Sequence, residues 1–333
     1  MSDAKQQPCC EKFKTMIGGQ ALIEGIMMRG PEKDAIVCRT SQGLQVDVKP
    51  RKVRPKKSVW NLPFLRGTIA FFDAQVTGVK ALMQSADLSP EAAEEEPSKF
   101  DKWLEEKLGS EKSQSLIIGI AVALGLAMSI GLFFLLPMII GGFFDRWIES
   151  TLLLHLVEGL VRIVIFMAYL ILVSRMKEMK RVFAYHGAEH KTIRAYEAGL
   201  PLTVENVRQQ TRLHPRCGTS FLLVVMILSI LVFSVASSGL LAVAPGLEAM
   251  RGSFLFRLVM IAFKLLLLPV VVSISYEINR WVGRHDNAFT RLLTGPGMWM
   301  QNFTTNEPDD SMIEVGIAAL EAVIPQEAGA DRW

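Results

Sequence analysis

Two stretches without a single charged residue set what this chain can become. No Asp, Glu, Lys or Arg occurs from Ser113 to Phe144, or from Cys217 to Leu247. About 20 helical residues cross the roughly 30 Å hydrocarbon core of a bilayer, so each stretch is long enough to span it. Two further runs, Leu152–Val173 and Phe254–Ser275, are as apolar apart from a few ionisable residues. Half of the 333 residues (50%) are hydrophobic. The pattern predicts an α-helical integral membrane protein, a four-transmembrane-helix bundle with spans at about 115–140, 152–173, 219–244 and 254–275. Its first partner is then the lipid bilayer. A net charge of +3 is too small to suggest nucleic acid.

The loops orient the bundle. Arg175, Lys177, Lys180, Arg181, Lys191, Arg194, Arg208, Arg212 and Arg216 crowd the segment between the second and third spans, whereas the other two short loops hold one basic residue each, Arg146 and Arg251. The positive-inside rule puts the 174–216 loop in the cytoplasm, and four spans bring both termini to that side. Met1–Gly18 is polar and has no apolar core, so no cleavable leader is expected. Cys9, Cys10, Cys38 and Cys217 all fall on the reducing side, where free thiols or metal ligands are expected rather than disulfides.

The chain divides accordingly. Residues 1–88 read as a cytoplasmic β unit followed by an amphipathic helix, and 89–114 as an acidic linker. Residues 115–278 form the membrane domain, with a motif loop at 174–218, and 279–333 the tail. Within the first part, Thr15–Met28 is apolar and punctuated by Gly18, Gly19 and Gly25, while Ala35–Thr40 and Leu44–Val48 flank a hairpin turn at Ser41-Gln42-Gly43. Pro63–Ala86 predicts an amphipathic helix. It lies either on the inner leaflet beside the basic run Arg51–Lys57 or packed on the β unit. Thr294–Gly297 reads as a turn, and Asp309–Val323 as a short helix capped by Asp309 or Asp310.

The chemistry gathers at His186-Gly187-Ala188-Glu189-His190. Histidines at i and i+4 share a helical face and reach one ion, and Glu189 one turn from His186 can take a proton from water that the ion activates. The same five residues also suit a polar interfacial helix facing lipid headgroups. Topology brings further donors to the same side: His214 and Cys217 before the third span, Glu197 after the motif, and Glu277 after the fourth. A catalytic zinc site takes three protein ligands and keeps one position open. His186 and His190 are two, and Cys217, Glu277, His214 or Glu197 supplies the third. A thiolate favours zinc, which puts Cys217 first. Arg216 or Lys191 would steady developing negative charge. Metal affinity should fall below about pH 6.5, where imidazole protonates.

Other residues carry weaker signals. Gly18-Gly19-Gln20 matches the tripeptide of peptide release factors, but three residues leading into an apolar strand read as strand. Glu24 is either an outward strand residue or an extra carboxylate for the site. In the second span, His155, Glu158 and Arg162 share a face, and Arg257 and Lys264 lie seven apart in the fourth. Such intramembrane charge is costly. Either Glu158 neutralises Arg162 or Arg257, or the stripe lines a polar cavity or ion path.

The strings IGGQALIEGIMMRGP (17–31), YHGAEHKTI (185–193), YEAGLPLTVENV (196–207), HPRCGTSFL (214–222), SYE (275–277) and TTNEP (304–308) give the chain its resemblance to the YqhQ-like family of bacterial multi-pass membrane proteins. That family is a domain of unknown function labelled as predicted metal-dependent enzymes. The resemblance covers nearly the whole chain, with the acidic linker the least typical part. It implies a bacterial inner (plasma) membrane location, and places the family's prominent polar residues at Glu24, His186, Glu189, His190, Lys191, Glu197, Glu205, Arg216, Cys217 and Glu277. Three functions fit. One is a metal-dependent hydrolase acting on a membrane-proximal protein or lipid substrate. Another is a non-enzymatic transporter, metal-handling or membrane assembly factor. The third is thiol-dependent acyl transfer through Cys217.

Overall fold

The computed structural model describes residues 12–51, 59–63, 65–89, 110–144, 147–148, 150–250, 252–285 and 287–332. Cys9, Cys10, most of the basic run 51–57, most of the acidic linker, Arg146 and Arg251 lie outside the described residues. Four strands come first: β1 (Gly18–Leu22), β2 (Gly25–Arg29), β3 (Lys33–Thr40) and β4 (Gly43–Pro50). Helices follow as α1 (Leu65–Leu88), α2 (Ser110–Ile130), α3 (Leu136–Gly142), α4 (Thr151–Val173), α5 (Lys177–Glu197) and α6 (Val204–Arg208). The remainder are α7 (Gly218–Val243), α8 (Pro245–Glu248), α9 (Phe254–Arg284), α10 (Ala288–Thr304) and α11 (Asp310–Glu321). The chain divides into two compact units, one of residues 1–92, 170–225 and 270–333, the other of 93–169 and 226–269.

The first unit is built on an antiparallel meander in the order β1-β2-β3-β4. Alternation along β2 and β3 gives the sheet two apolar faces. Ile26, Met28, Ala35 and Val37 meet Ala184, Tyr185 and Ala188 of α5 and Met312, Val315 and Ala319 of α11. The opposite face, with Leu22, Met27, Ile36 and Cys38, is covered by Ala81 of α1. The apolar run Thr15–Met28 is thus broken into two strands at Ile23-Glu24, where Glu24 takes a positive φ of 51°. Few non-glycine residues sit there, and this one is held by its side chain. Arg181 of α5 grips the Glu24 carboxylate at 2.5 and 2.6 Å, and the Tyr185 hydroxyl donates to it at 3.1 Å.

Helix α1 does pack on the β unit. Gly78 lies against the Gln20 side chain, and Gly67 against Ser273 and Tyr276 of α9. Its other face leaves Phe72, Val76, Val79 and Leu82 exposed. Asp309 caps α11 as expected, accepting from the Met312 N–H at 2.9 Å. The Thr294–Gly297 turn is a correction: Pro296 lies inside α10. A local Gly-Pro-Gly signal loses to packing, because Gly297 presses on Ser220 so closely that a Cβ would come within 2.6 Å of it.

Among the described residues, four helical stretches are long and apolar enough to cross a membrane: Gly119–Gly142, Leu152–Val173, Gly218–Val243 and Phe254–Arg284. The last runs beyond the expected Ser275, adding polar turns with Glu277 and Arg280. In the second unit, Met138, Met260 and Ile261 form the buried core with Ile130, Leu135 and Leu265 around them. A π-helical turn, Gly131–Leu135, joins α2 to α3.

Candidate metal centre

Helix α5 presents His186 and His190 on one face, their rings 4.3 Å apart. Each ring is fixed by the same device. The Nδ1–H of His186 donates to the Thr304 carbonyl at 2.8 Å, and that of His190 to the Arg212 carbonyl at 2.6 Å. With Nδ1 committed to a backbone acceptor, Nε2 is the atom each ring can offer to a ligand, as in metal-binding imidazoles. Cys217 stands just before α7, where its Sγ accepts the Thr219 N–H at 3.4 Å and lies 3.2 Å from His186 Nε2. Donor atoms of His186, His190 and Cys217 all lie within 4.8 Å of one another.

Glu189 adds an unspent base. Its Oε1 accepts the Gly19 N–H at 3.1 Å, while Oε2 is buried without a hydrogen-bond partner among the described residues. His190 Nε2 is buried and unpartnered in the same way. Orphaned buried polar atoms are uncommon, and two of them beside a thiol suit an ion and its water. Burial raises the Glu189 carboxyl, against the pull of His186 and His190. Burial alone would raise the Cys217 thiol too, but His190 and His186 hold it well below the ordinary thiol range. Burial disfavours charge on His186, yet Cys217 lifts it to about 9. Cys38 has no such neighbours among the described residues; burial in the sheet pushes its thiol up to about 11.

The remaining sequence candidates are engaged elsewhere. Glu277 is forked by Arg66 of α1, at 2.7 Å to Oε1 and by a second short contact to Oε2, and is not among the three converging donors. Glu197 accepts the Thr15 N–H at 2.9 Å and pairs with Arg216 and His214. His214 spends Nε2 on that carboxylate, and burial with Arg216 holds it well below the usual imidazole range. Lys191 is buried, donating to the Arg208 carbonyl at 3.1 Å and to Glu307 at 2.5 Å. Lys191 and Arg216 therefore tie down the 208–217 loop. Gln301 completes the clamp through the His214 N–H and carbonyl, at 2.8 and 2.7 Å. Glu24 serves the β1–β2 turn, as described above.

Gly19, read from the sequence only as part of a strand, also touches the candidate site. Its N–H holds Glu189, and a Cβ there would lie 2.9 Å from Glu189 Cδ and 2.7 Å from the Met27 carbonyl. The Gly-Gly pair that opens an apolar strand was the available signal.

Comparison with known proteins identifies the family. The family described as "Protein of unknown function (DUF1385)" matches residues 62–326. The chain belongs to that family. It is 33% identical over 322 residues to the uncharacterized protein YqhQ of Bacillus subtilis (strain 168), covering 95% of each chain. No solved structure matches it.

Proposed function

We propose that this is a bacterial plasma-membrane protein of four spans with both termini cytoplasmic, holding one zinc ion through His186, His190 and Cys217 and using it for hydrolysis. The observation that carries the reading is the donor set itself. Two imidazoles are pinned at Nδ1 by backbone carbonyls, and both present Nε2 to a thiolate, beside a carboxylate with one free oxygen. Charge supports it as well: a divalent cation, one thiolate and one carboxylate sum to zero, which a buried site favours.

A zinc ion held by three residues supplies Lewis acidity and an open coordination position. The chain's own groups do the rest. Glu189 takes a proton at Oε2 while Gly19 holds Oε1, so the acceptor keeps its aim. The Thr304 and Arg212 carbonyls fix both imidazoles, and Lys191, Arg216 and Gln301 hold the loop that delivers Cys217. The substrate class is a peptide, ester or phosphate linkage next to the bilayer. The apolar face of α1, with Phe72, Val76 and Val79, fits an inner-leaflet position.

A cysteine–histidine dyad would also use the 3.2 Å contact between His186 and Cys217. It leaves Glu189 Oε2 without a role, which favours the metal. The test is metal analysis of the purified wild-type protein beside a His186→Ala, His190→Ala double variant. One equivalent of zinc in the wild type and none in the variant is expected. A metal-free wild type purified without chelators refutes the reading. Glu189→Gln then separates chemistry from storage: a hydrolase keeps its zinc and loses function, whereas a metal-handling or transport factor keeps both.

A further inference from the structure

The second unit buries a charge cluster that the metal centre does not use. Glu158 of α4 accepts Lys264 of α9 at 2.8 Å, and the same oxygen faces His155 Nδ1 at 3.2 Å. The sequence suggested Arg162 or Arg257 as the partner of Glu158, but the structure gives Lys264 that place. Arg162 is satisfied separately. Its Nε donates to the Phe133 carbonyl at 2.8 Å, inside the π-helical turn, and its guanidinium lies over the Phe134 and Phe233 rings at 5.3 and 5.7 Å. Widened turns of this kind release a carbonyl from the helical ladder and recur at functional positions.

His155 is the unfinished member. A carboxylate on Nδ1 fixes the proton there, so Nε2 is a bare acceptor, and it is buried with no hydrogen-bond partner among the described residues. A cavity of about 40 Å³ adjoins it, lined by Met138, Leu154, His155, Glu158, Phe256 and Arg257. That is room for water, with polar groups to hold it. The cavity lies where the first and third candidate spans end and the second and fourth begin. Gly141 makes space for the cluster: a Cβ there would come within 2.6 Å of Glu158 Cγ.

We propose that His155 is a proton-binding site served by this cavity, and that its protonation loosens the hold of Glu158 on Lys264. A proton from cavity water adds to Nε2, Nδ1 keeps its own, and the imidazolium then competes with the ammonium for one carboxylate oxygen. No other bond forms or breaks, and the proton leaves by the same route. Among the described residues, the charged groups facing the site are Glu158 and Arg162 from α4 and Lys264 and Arg257 from α9. Helix α7 bears no charged residue, its Ser229 lying 3.5 Å from Arg162, and the first span bears no charge. Proton binding inside a membrane unit, next to a switchable ion pair, is the part that proton-coupled transport requires. It stands independently of the metal reading.

The test is nitrogen NMR of the full chain in lipid vesicles, with histidine and lysine labelled. The five histidines are assigned by single substitutions, His155→Asn among them. When the sample is acidified from about pH 8 to about pH 5, His155 Nε2 should gain a proton while Nδ1 stays protonated. The Lys264 ammonium signal should shift in step, and that shift should vanish in His155→Asn. An Nε2 that stays bare throughout, a proton on Nε2 with Nδ1 empty at pH 8, or a Lys264 signal indifferent to His155 overturns the proposal. If residue 155 tolerates no substitution, the other four assignments identify His155 by elimination and the wild-type titration decides.

Discussion

If His186, His190 and Cys217 hold zinc as proposed, loading it expels one proton, and that proton comes from His186. In the metal-free protein Cys217 is held as thiolate, and His186, lifted to about 9, carries the proton beside it. An imidazolium does not coordinate. From about pH 6.5 to about pH 9 the pair holds one proton before metal binds and none afterwards. Each pH unit downward in that window therefore weakens apparent zinc binding about tenfold, or about 1.4 kcal/mol. The fall begins near pH 9 rather than at the 6.5 expected of a lone imidazole, because the thiolate stabilises the charged ring.

Calorimetric titration of the purified protein with zinc, in two buffers of different ionisation enthalpy, counts the protons released. Competition with a chelator at pH 7, 8 and 9 gives the affinities. Cys217→Ser removes the charge that lifts His186, so at pH 8 the proton count should drop from one towards zero. The signs are consistent for folding too. The unfolded pair holds one proton on the thiol in this window, and the folded pair holds one on the ring, so the pair adds no slope to stability against pH. A wild-type affinity that is flat from pH 7 to pH 9, or a serine variant that still releases a full proton, refutes the reasoning.

Gly19→Ala brings a Cβ to 2.7 Å from the Met27 carbonyl and 2.9 Å from Glu189 Cδ, so about 1–3 kcal/mol of stability should be lost in thermal melts while bound metal persists. Glu158→Ala leaves Lys264 buried and unpaired, costing about 3–5 kcal/mol and lowering membrane accumulation on immunoblots; adding Lys264→Met should restore most of it. Reporter fusions after Leu88, after Gly199 and at the C-terminus should read as cytoplasmic, and those near Trp147 and Glu248 as external; a cytoplasmic signal at 147 refutes four spans.

What the sequence revealed and what it hid divide along one physical line. The four apolar helices and the shared face of His186, Glu189 and His190 follow from spacing along a single helix, so both were legible. So was the Asp309 cap, a contact three residues long. Which donor joins the two imidazoles was only ranked, with Cys217 first, because four candidates offered suitable chemistry and only tertiary pairing sorts them. Arg66 claims Glu277 from 211 positions away, and Arg216 and His214 claim Glu197, which leaves Cys217 beside the imidazoles. Lys264 became the partner of Glu158 for the same reason: spacing within one helix cannot say which basic residue of another lies opposite. Gly19 was hidden more deeply, since its contribution is a backbone N–H and an absent side chain. A site of this kind is therefore found by asking which polar atoms remain unspent once every pairing is drawn. Here those atoms are Glu189 Oε2 and His190 Nε2, beside the Nε2 of His186 and the sulfur of Cys217.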